Sequence, residues 1–326
     1  MDILRGSFIL VLSIVPLLLS ALDCSVCRKE IRGKYLTSGD RVYCSGKCFH
    51  STRPLCVQCG ERCAGQSVTL QNMNFCSREC LHKKVKCSVC RKGLDSVITV
   101  RNLRGTEALY CRACSRTPQC YFCILPVGNS RALKDGRYIC RKCRNDSVTE
   151  KGEILAIFRS VRADLADAYG YDRQHRIKLY VVGLDEINRR APGGSADHGN
   201  RIGLMHYQEK KERTVYPDGR QTERLIGTDC SIYILHTVPH DLLRDALAHE
   251  LTHDHLRHHA GRIPDIAAEE GFCELVASLY NVKRGAAYLN RMKELNPSPV
   301  YGEGFRRMQE IYKRTRSLKK TMHSIR

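Results

Sequence analysis

After residue 22 the sequence has no apolar run long enough to cross a bilayer, which excludes a protein with several membrane spans. Apolar residues are also scarce between 23 and 145, so this part of the chain cannot rest on a hydrophobic core alone. None of its cysteine units has the two-cysteine, two-histidine pattern of DNA-binding zinc fingers. What holds this region together has to be sought among its cysteines.

Nineteen cysteines are present, and seventeen of them lie between Cys24 and Cys143. Sixteen of these form C-x2-C or C-x3-C pairs, which are Cys24/Cys27, Cys44/Cys48, Cys56/Cys59, Cys76/Cys80, Cys87/Cys90, Cys111/Cys114, Cys120/Cys123 and Cys140/Cys143. Taken two pairs at a time, they give a fourfold repeat, which predicts four structural zinc sites. Cys63 is left over, and Cys230 and Cys273 are expected to be small buried residues.

Eight disulfides are the alternative use of these sixteen cysteines, because an exported chain meets oxidants. Neighbouring C-x2-C thiols make poor structural disulfides, however, and they chelate zinc well. The scarcity of apolar residues also requires a strong cross-link, which zinc supplies. We therefore favour zinc in all four units.

The first 22 residues differ from the rest of the chain. Arg5 precedes an apolar run at 8–22, which is short for a membrane span and typical of a signal peptide. We therefore expect export or secretion, with an uncleaved, signal-anchored form as the alternative. The expected divisions are a signal peptide at 1–22, pairs of zinc modules at 23–82 and 83–146, and a peptidase domain at 150–326.

The chain is basic, with 54 lysine and arginine residues against 34 acidic ones and a formal charge of +20. Sixteen zinc-bound thiolates and four zinc ions would lower this charge to about +12. The excess favours a solvated basic surface over contact with a polyanion or a membrane surface. Nucleic acid is not an expected partner, because export argues against a DNA target.

Residues His249 to His253 have the form H-E-x-x-H. On a helix, residues four apart share a face, so His249 and His253 would present two imidazoles to one zinc ion. Glu250 would reach a water on the open side of that metal and act as the catalytic base. The motif predicts a zinc metallopeptidase, and a solvated histidine-rich helix without metal is the alternative.

A third protein ligand is needed, and two classes of zinc peptidase place it differently. His259 occupies the third-histidine position of metzincins, but that class needs glycine where this chain has Leu256. Glu270 follows His253 by sixteen residues on a second amphipathic helix, which is the gluzincin arrangement. Glu270 is therefore the first candidate and His259 the third.

Three neighbouring residues also have expected roles. Glu274, one turn beyond Glu270, would be the fallback ligand or a partner of a ligand. Glu269 is expected to face solvent. Tyr301, in a glycine-rich turn, is the candidate donor to the developing oxyanion, with a packing tyrosine as the alternative.

The catalytic half has the element order of a zincin, in which a small sheet lies over the helix of the H-E-x-x-H motif. Its expected elements are a helix at 154–169, strands at 178–182, 203–208, 224–228 and 231–236, a loop at 191–196, a turn at 217–219, and a metal helix from a cap at Asp241 to a stop at Gly261. Residues 232–235 are the candidate edge strand for an extended substrate, or its neighbour, and an interior strand is the alternative.

Four stretches match one family in order and spacing: 117–123 with 133–143, then 232–253, 269–273 and 298–306. In these stretches the sequence resembles the plant DA-one family of LIM-domain, ubiquitin-activated peptidases. The resemblance implies a zinc ion at His249, His253 and Glu270, with Glu250 as the base, and LIM-type modules upstream. The expected fold class is therefore α+β: a gluzincin-like peptidase domain after an array of four-cysteine LIM-like zinc modules.

The chain departs from the family in the linkers of the array. A LIM domain joins its two zinc units by two residues, whereas here the gaps are seven, six and five residues, and cysteine replaces the usual histidine ligand. No ubiquitin-interacting segment precedes the array, so ubiquitin activation is not carried over. We expect a peptidase acting on protein substrates, whose modules bind a partner or substrate or inhibit the site. A non-catalytic adaptor with a degenerate peptidase domain is the alternative.

Overall fold

A computed structural model describes most of the chain after the N-terminal segment, namely residues 22–65, 67–102, 105–128, 130–171, 176–191, 201–261 and 263–325. The expected signal peptide at 1–22 and the expected loop at 191–196 lie outside these ranges apart from Leu22 and Ala191, so both stay predictions. Within the described ranges, no helix combines the length and apolar character that a membrane crossing requires.

The chain divides into two compact units. The first comprises Met1–Lys86 with Gly93–Ser96, and the second comprises Cys87–Lys92 with Val97–Arg326. The first two cysteine modules belong to the first unit, and the other two belong to the second unit together with the catalytic half. The domain boundaries expected from the sequence stay predictions.

Each of the first three modules contains a two-stranded antiparallel hairpin followed by a short helix. The elements are β1 (Leu36–Ser38), β2 (Arg41–Tyr43), α1 (Gly46–Ser51), β3 (Val68–Leu70), β4 (Met73–Phe75), α2 (Arg78–Lys84), β5 (Ile98–Arg101), β6 (Glu107–Tyr110) and α3 (Arg112–Ser115), with α4 (Arg141–Asn145) in the fourth module. Each helix starts at a cap that accepts from the last cysteine of its module, such as Ser45 Oγ from the N–H of Cys48. The caps therefore bring the second cysteine pair together.

The remaining elements form a three-stranded sheet and a set of packed helices. They are β7 (Ser147–Val148), α5 (Lys151–Tyr169), β8 (Ile177–Val182), α6 (Leu184–Arg190), β9 (Gly203–Val215), β10 (Gln221–Leu235), β11 (Val238–Pro239), α7 (His240–His259), α8 (Ile266–Lys283), a 3₁₀ turn (Ala287–Leu289), α9 (Asn290–Glu294), a π-helical turn (Pro299–Glu303), α10 (Gly304–Thr315) and α11 (Leu318–His323).

β10 is the central strand of the sheet, parallel to β8 and antiparallel to β9. The strands expected at 224–228 and 231–236 are one strand, because the pairing with β9 continues across a register shift between Leu225 and Gly227. Residues 232–235 therefore lie in the interior strand β10, which is not itself an edge but is the neighbour of the edge strand β9. The edges of the sheet are β8 and β9.

The two predicted metal helices form, with one change at the start of the first. α7 begins at His240 after Pro239, so Asp241 lies in its first turn and is not its cap. Gly261 follows its end with φ +75°, as the predicted stop requires. α8 begins at Ile266 and is capped by Asp265, whose carboxylate accepts from the N–H of Ala268 at 3.1 Å.

The fourth module shares the hydrophobic core of the catalytic half. Buried residues of this module, including Cys120, Phe122 and Ile139, belong to one cluster with residues of the helices and the sheet. β7, just after the module, pairs with β11, just before α7. The buried guanidinium of Arg137 also donates to the carbonyl oxygen of His236 at 2.9 Å. The module is thus packed against the start of the H-E-x-x-H helix.

Candidate metal centre

The four cysteine clusters have the geometry of zinc sites. In each module the four sulfur atoms lie within 4.8 Å of one another. Representative Sγ–Sγ distances, one for each module, are 3.6 Å for Cys27 and Cys44, 3.5 Å for Cys59 and Cys76, 4.0 Å for Cys90 and Cys111, and 3.7 Å for Cys123 and Cys140. A tetrahedral zinc about 2.3 Å from each sulfur requires separations of about 3.8 Å, whereas a disulfide requires about 2.05 Å. The clusters therefore fit structural zinc.

The left-over cysteine residues are all buried. Cys230 and Cys273 are buried as expected, and Cys63, about which the sequence makes no prediction, is buried too. Cys273 is also fully buried, but it lies within 4.8 Å of nitrogen atoms of His249 and His253. Burial raises the pKa of this thiol to about 12, so it remains protonated at neutral pH in the absence of a metal.

The structure brings together the three side chains predicted to bind the catalytic metal. Nε2 of His249 lies 3.3 Å from Nε2 of His253 and 3.0 Å from Oε2 of Glu270, and the third edge, from His253 Nε2 to Glu270 Oε2, is 3.5 Å. A tetrahedral zinc with bonds of about 2.0–2.1 Å has ligand atoms about 3.3 Å apart. The three donor atoms therefore form one face of a site that fits zinc.

Glu270 reaches this position because α8 packs closely on the segment that follows it. A Cβ atom on Gly271 would lie 2.3 Å from the backbone of Gly304, and one on Gly304 would lie 2.2 Å from the carbonyl oxygen of Ala267. Only glycine fits at these two contacts. Burial alone would raise the pKa of Glu270, but hydrogen bonds to His249 and His253 lower it, so the carboxylate is ionised.

Each histidine also has a carboxylate at its other ring nitrogen. Oε1 of Glu269 lies 2.9 Å from Nδ1 of His253, and Oε1 of Glu274 lies 3.5 Å from Nδ1 of His249. A proton on Nδ1 would leave the Nε2 lone pair free for a metal. Glu274 is therefore placed as the predicted partner of a ligand. Glu269 is expected from the sequence to face solvent, but it is only partly exposed, because the crossing of α8 over α7 directs its carboxylate to His253.

His259 lies away from this centre. α7 continues through Leu256, so His259 points to another side of the helix, where its ring centre is 4.3 Å from that of His255. The ring of His255 is in turn stacked on Tyr171 at 3.9 Å. The metzincin arrangement is therefore not formed.

Glu250 is buried beneath the first residues of β9. A Cβ atom on Gly203 would lie 2.8 Å from Oε1 of Glu250, so the strand and the carboxyl group are in close contact. The backbone N–H of Met205 also donates to this carboxyl group. Burial raises the pKa of Glu250, and the nearby His249 and His253 oppose that increase. A carboxyl group with a raised pKa is suited to accept and return a proton.

Tyr301 lies beside the same centre, in the π-helical turn. Its ring centre is 6.5 Å from that of His249, and its backbone N–H donates to Oγ of Ser298 at 3.2 Å. Burial raises the pKa of Tyr301, and the nearby Glu270 raises it further, so the hydroxyl keeps its proton and can donate it in a hydrogen bond. The hydroxyl is also hydrogen-bonded to Arg201, a residue that the sequence gave no reason to single out.

Comparison with known proteins agrees with this geometry. The chain is 25% identical over 290 residues to Protein DA1-related 2 of Arabidopsis thaliana, an alignment that covers 79% of this chain and 53% of that protein. It is 24% identical over 286 residues to LIM domain-containing protein HDR3 of Oryza sativa subsp. japonica, covering 79% and 56%, respectively. Protein DA1 of Arabidopsis thaliana is 23% identical over 343 residues, covering 87% and 63%. The chain is thus similar to proteins named DA1 and DA1-related over most of its length.

The predicted resemblance to the DA1 family is thus confirmed, within clear bounds. The chain spans about half the length of the first two of these relatives. A family model described as C1 domain-like, C-terminal matches residues 50–81, which include the second cysteine cluster. The chain therefore combines LIM-like zinc modules, which indicate protein–protein interaction, with a mixed α/β region.

Proposed function

We propose that this chain is a zinc metallopeptidase of the gluzincin type, which hydrolyses peptide bonds of protein substrates. The observation that carries the proposal is the convergence of His249, His253 and Glu270 on one point, next to the buried Glu250. A zinc ion bound there would acidify a water molecule and polarise the scissile carbonyl group.

The surrounding residues have distinct roles in the proposed reaction. Glu250 accepts a proton from the attacking water and then delivers it to the leaving amine. Its buried position and raised pKa support this role. Tyr301 donates a hydrogen bond to the oxyanion that develops on the carbonyl, as its protonated hydroxyl allows.

The position of β9 supports an extended substrate. This strand is an edge of the sheet, and its first residue, Gly203, is in contact with Glu250. A substrate backbone paired with the free edge of β9 would pass directly in front of the proposed base. The strand that binds substrate in this proposal is β9, and not the interior segment at 232–235.

The zinc modules are proposed to bind a protein partner or the substrate, or to cover the site as an inhibitory region. Activation by ubiquitin, which belongs to the family that the chain resembles, is not part of this proposal. Export directed by residues 1–22 is likewise proposed on the apolar run in the sequence. A non-catalytic adaptor is the alternative function, and four cysteine clusters that fit zinc are the observation in its favour.

The Glu270→Ala variant should lose the catalytic zinc. Wild-type chain is expected to hold about five zinc ions, four in thiolate sites and one at the catalytic site. Removing Glu270 takes away one of three protein donors, so we expect about four, measured by elemental analysis of dialysed protein. His259→Ala is the matched control and should keep about five, because its ring lies near His255. Zinc loss from the control alone would contradict the assignment of Glu270.

A methyl group at Gly203 should slow the reaction without removing the metal. The new Cβ would meet Oε1 of Glu250 at 2.8 Å and displace the carboxyl group. A shift of about 1 Å in a catalytic group costs about 100-fold, so we expect Gly203→Ala to lower kcat by roughly this factor. Gly227→Ala is the control, since a Cβ there meets nothing within 4 Å. Equal kcat values for the two variants would show that Glu250 does not depend on this contact.

A further inference from the structure

We infer that Lys293 is a positioning residue that acts through Glu274 to hold His249 in its metal-binding orientation. The inference rests on the proposed function, in which His249 is a ligand of the catalytic zinc. Lys293 lies on the short helix α9 and has no role in the mechanism described above. Its importance follows from where its amino group is buried.

The amino group of Lys293 is enclosed between two carboxylates. The side chain is 8% exposed, and Nζ lies 2.9 Å from Oδ1 of Asp245 and in direct contact with Oε2 of Glu274. Burial alone would lower the pKa of Lys293, but Asp245 and Glu274 raise it, so the amine is charged. A charged amine is retained in the interior only when it is paired in this way.

Glu274 connects this ion pair to the candidate metal centre. One of its oxygen atoms contacts Lys293, and the other lies 3.5 Å from Nδ1 of His249. Asp245 lies one turn before His249 on α7 and is also bound by the side-chain amide of Asn281 at 2.7 Å. Lys293 thus fixes Glu274 from the side opposite to the histidine.

The second histidine is supported differently. Its carboxylate partner, Glu269, lies 2.9 Å from Nδ1 of His253 and is 34% exposed, so water can solvate it. Glu274 is 16% exposed and depends more on its protein partners. The loss of Lys293 should therefore affect His249 and leave His253 unchanged.

Without Lys293, two buried carboxylates would face each other with no cation between them. Glu274 would turn away from Asp245, and the carboxylate that lies 3.5 Å from Nδ1 of His249 would move with it. Loss of such a partner typically weakens metal binding by about 10–100-fold. We expect Lys293→Met, which keeps the length of the side chain, to weaken zinc binding at the catalytic site by at least about 10-fold.

The test is a double-mutant cycle on the full chain. The probe is zinc itself, titrated against a chelator weak enough to leave the thiolate sites filled. In a Glu274→Gln background, Lys293→Met should have little further effect on zinc binding, because the carboxylate through which Lys293 acts on His249 is already absent. In a Glu269→Gln background its effect should be fully additive, because Glu269 acts on the other histidine.

Three results would overturn the inference. They are zinc binding by Lys293→Met within twofold of wild type, an undiminished effect in the Glu274→Gln background, and non-additivity with Glu269→Gln. If Lys293→Met does not fold, the same cycle can be measured in an Asp245→Asn background. The Asp245→Asn/Lys293→Met double variant is then compared with Asp245→Asn, and the charge imbalance is smaller. If the wild-type chain itself binds no zinc at the catalytic site, the proposed function fails as well. If wild type binds zinc there and Lys293→Met binds it equally well, only the inference about Lys293 fails.

Discussion

Replacing Glu250 by glutamine is expected to abolish most peptide-bond hydrolysis while zinc remains bound. Glutamine has nearly the same shape as glutamate but cannot accept the proton of the attacking water. General acid–base catalysis contributes about 10²–10⁴-fold, so kcat should fall by a factor in this range. Hydrolysis of an unfolded protein substrate, followed as the release of new amino termini, measures the effect.

The control for this result is Glu310→Gln, the same change at an exposed position of α10. This variant should have wild-type activity, and both proteins should contain about five zinc ions. If Glu250→Gln were as active as wild type, the peptidase proposal would fail. If no protein in the set hydrolysed substrate while all bound zinc, the adaptor alternative would be favoured.

Removing a cysteine from the fourth module is expected to disrupt the catalytic half, whereas the same change in the first module is not. Cys143 is 4% exposed and belongs to the core cluster that contains the helices and the sheet. A structural zinc site contributes about 10–16 kcal/mol of binding free energy to folding in small zinc domains. Cys143→Ser should therefore cost more stability than a typical single substitution, which is about 0.5–3 kcal/mol.

Cys48→Ser is the matched control, because Cys48 lies in the other compact unit and none of the described residues of that unit belongs to the core cluster. Thermal unfolding followed by tyrosine fluorescence, together with peptidase activity, would compare the two variants. We expect Cys143→Ser to lose the thermal unfolding transition of the region that contains the core cluster, together with activity. Cys48→Ser should lose about one zinc ion and retain activity. Equal losses would show that the fourth module is not part of the catalytic fold.

Much of the candidate site could be predicted because its signals are local in sequence. The spacing of His249 and His253 on one helix face, and of each cysteine pair in its turn, depends only on short-range geometry. The prediction of Glu270 as a ligand also needed the second amphipathic helix and the family resemblance. These are the residues that the structure brings together, in the metal centre and in the cysteine clusters.

The remaining features depend on packing between distant segments. The contact of Glu269 with His253 follows from the angle at which α8 crosses α7, and no spacing in the sequence encodes that angle. The contact of Gly203 with Glu250 joins residues 47 positions apart, and the ion pair of Lys293 with Asp245 joins residues 48 positions apart, each pair on separate elements. The sequence predicts two strands, at 224–228 and 231–236, where the structure has the single strand β10, because the polar Asp229 interrupts the apolar pattern while it stays paired with Gln208 of β9.

The pairing of β7 with β11 has a practical consequence for dissecting this protein. A fragment cut between 146 and 150, where composition alone would set the boundary, would leave behind the carbonyl oxygen of Asp146 that accepts from the N–H of His240. It would also expose the apolar surface that Phe122 and Ile139 cover. During evolution, the fourth module and the helices behind it could not easily be exchanged separately, since each completes the interior of the other.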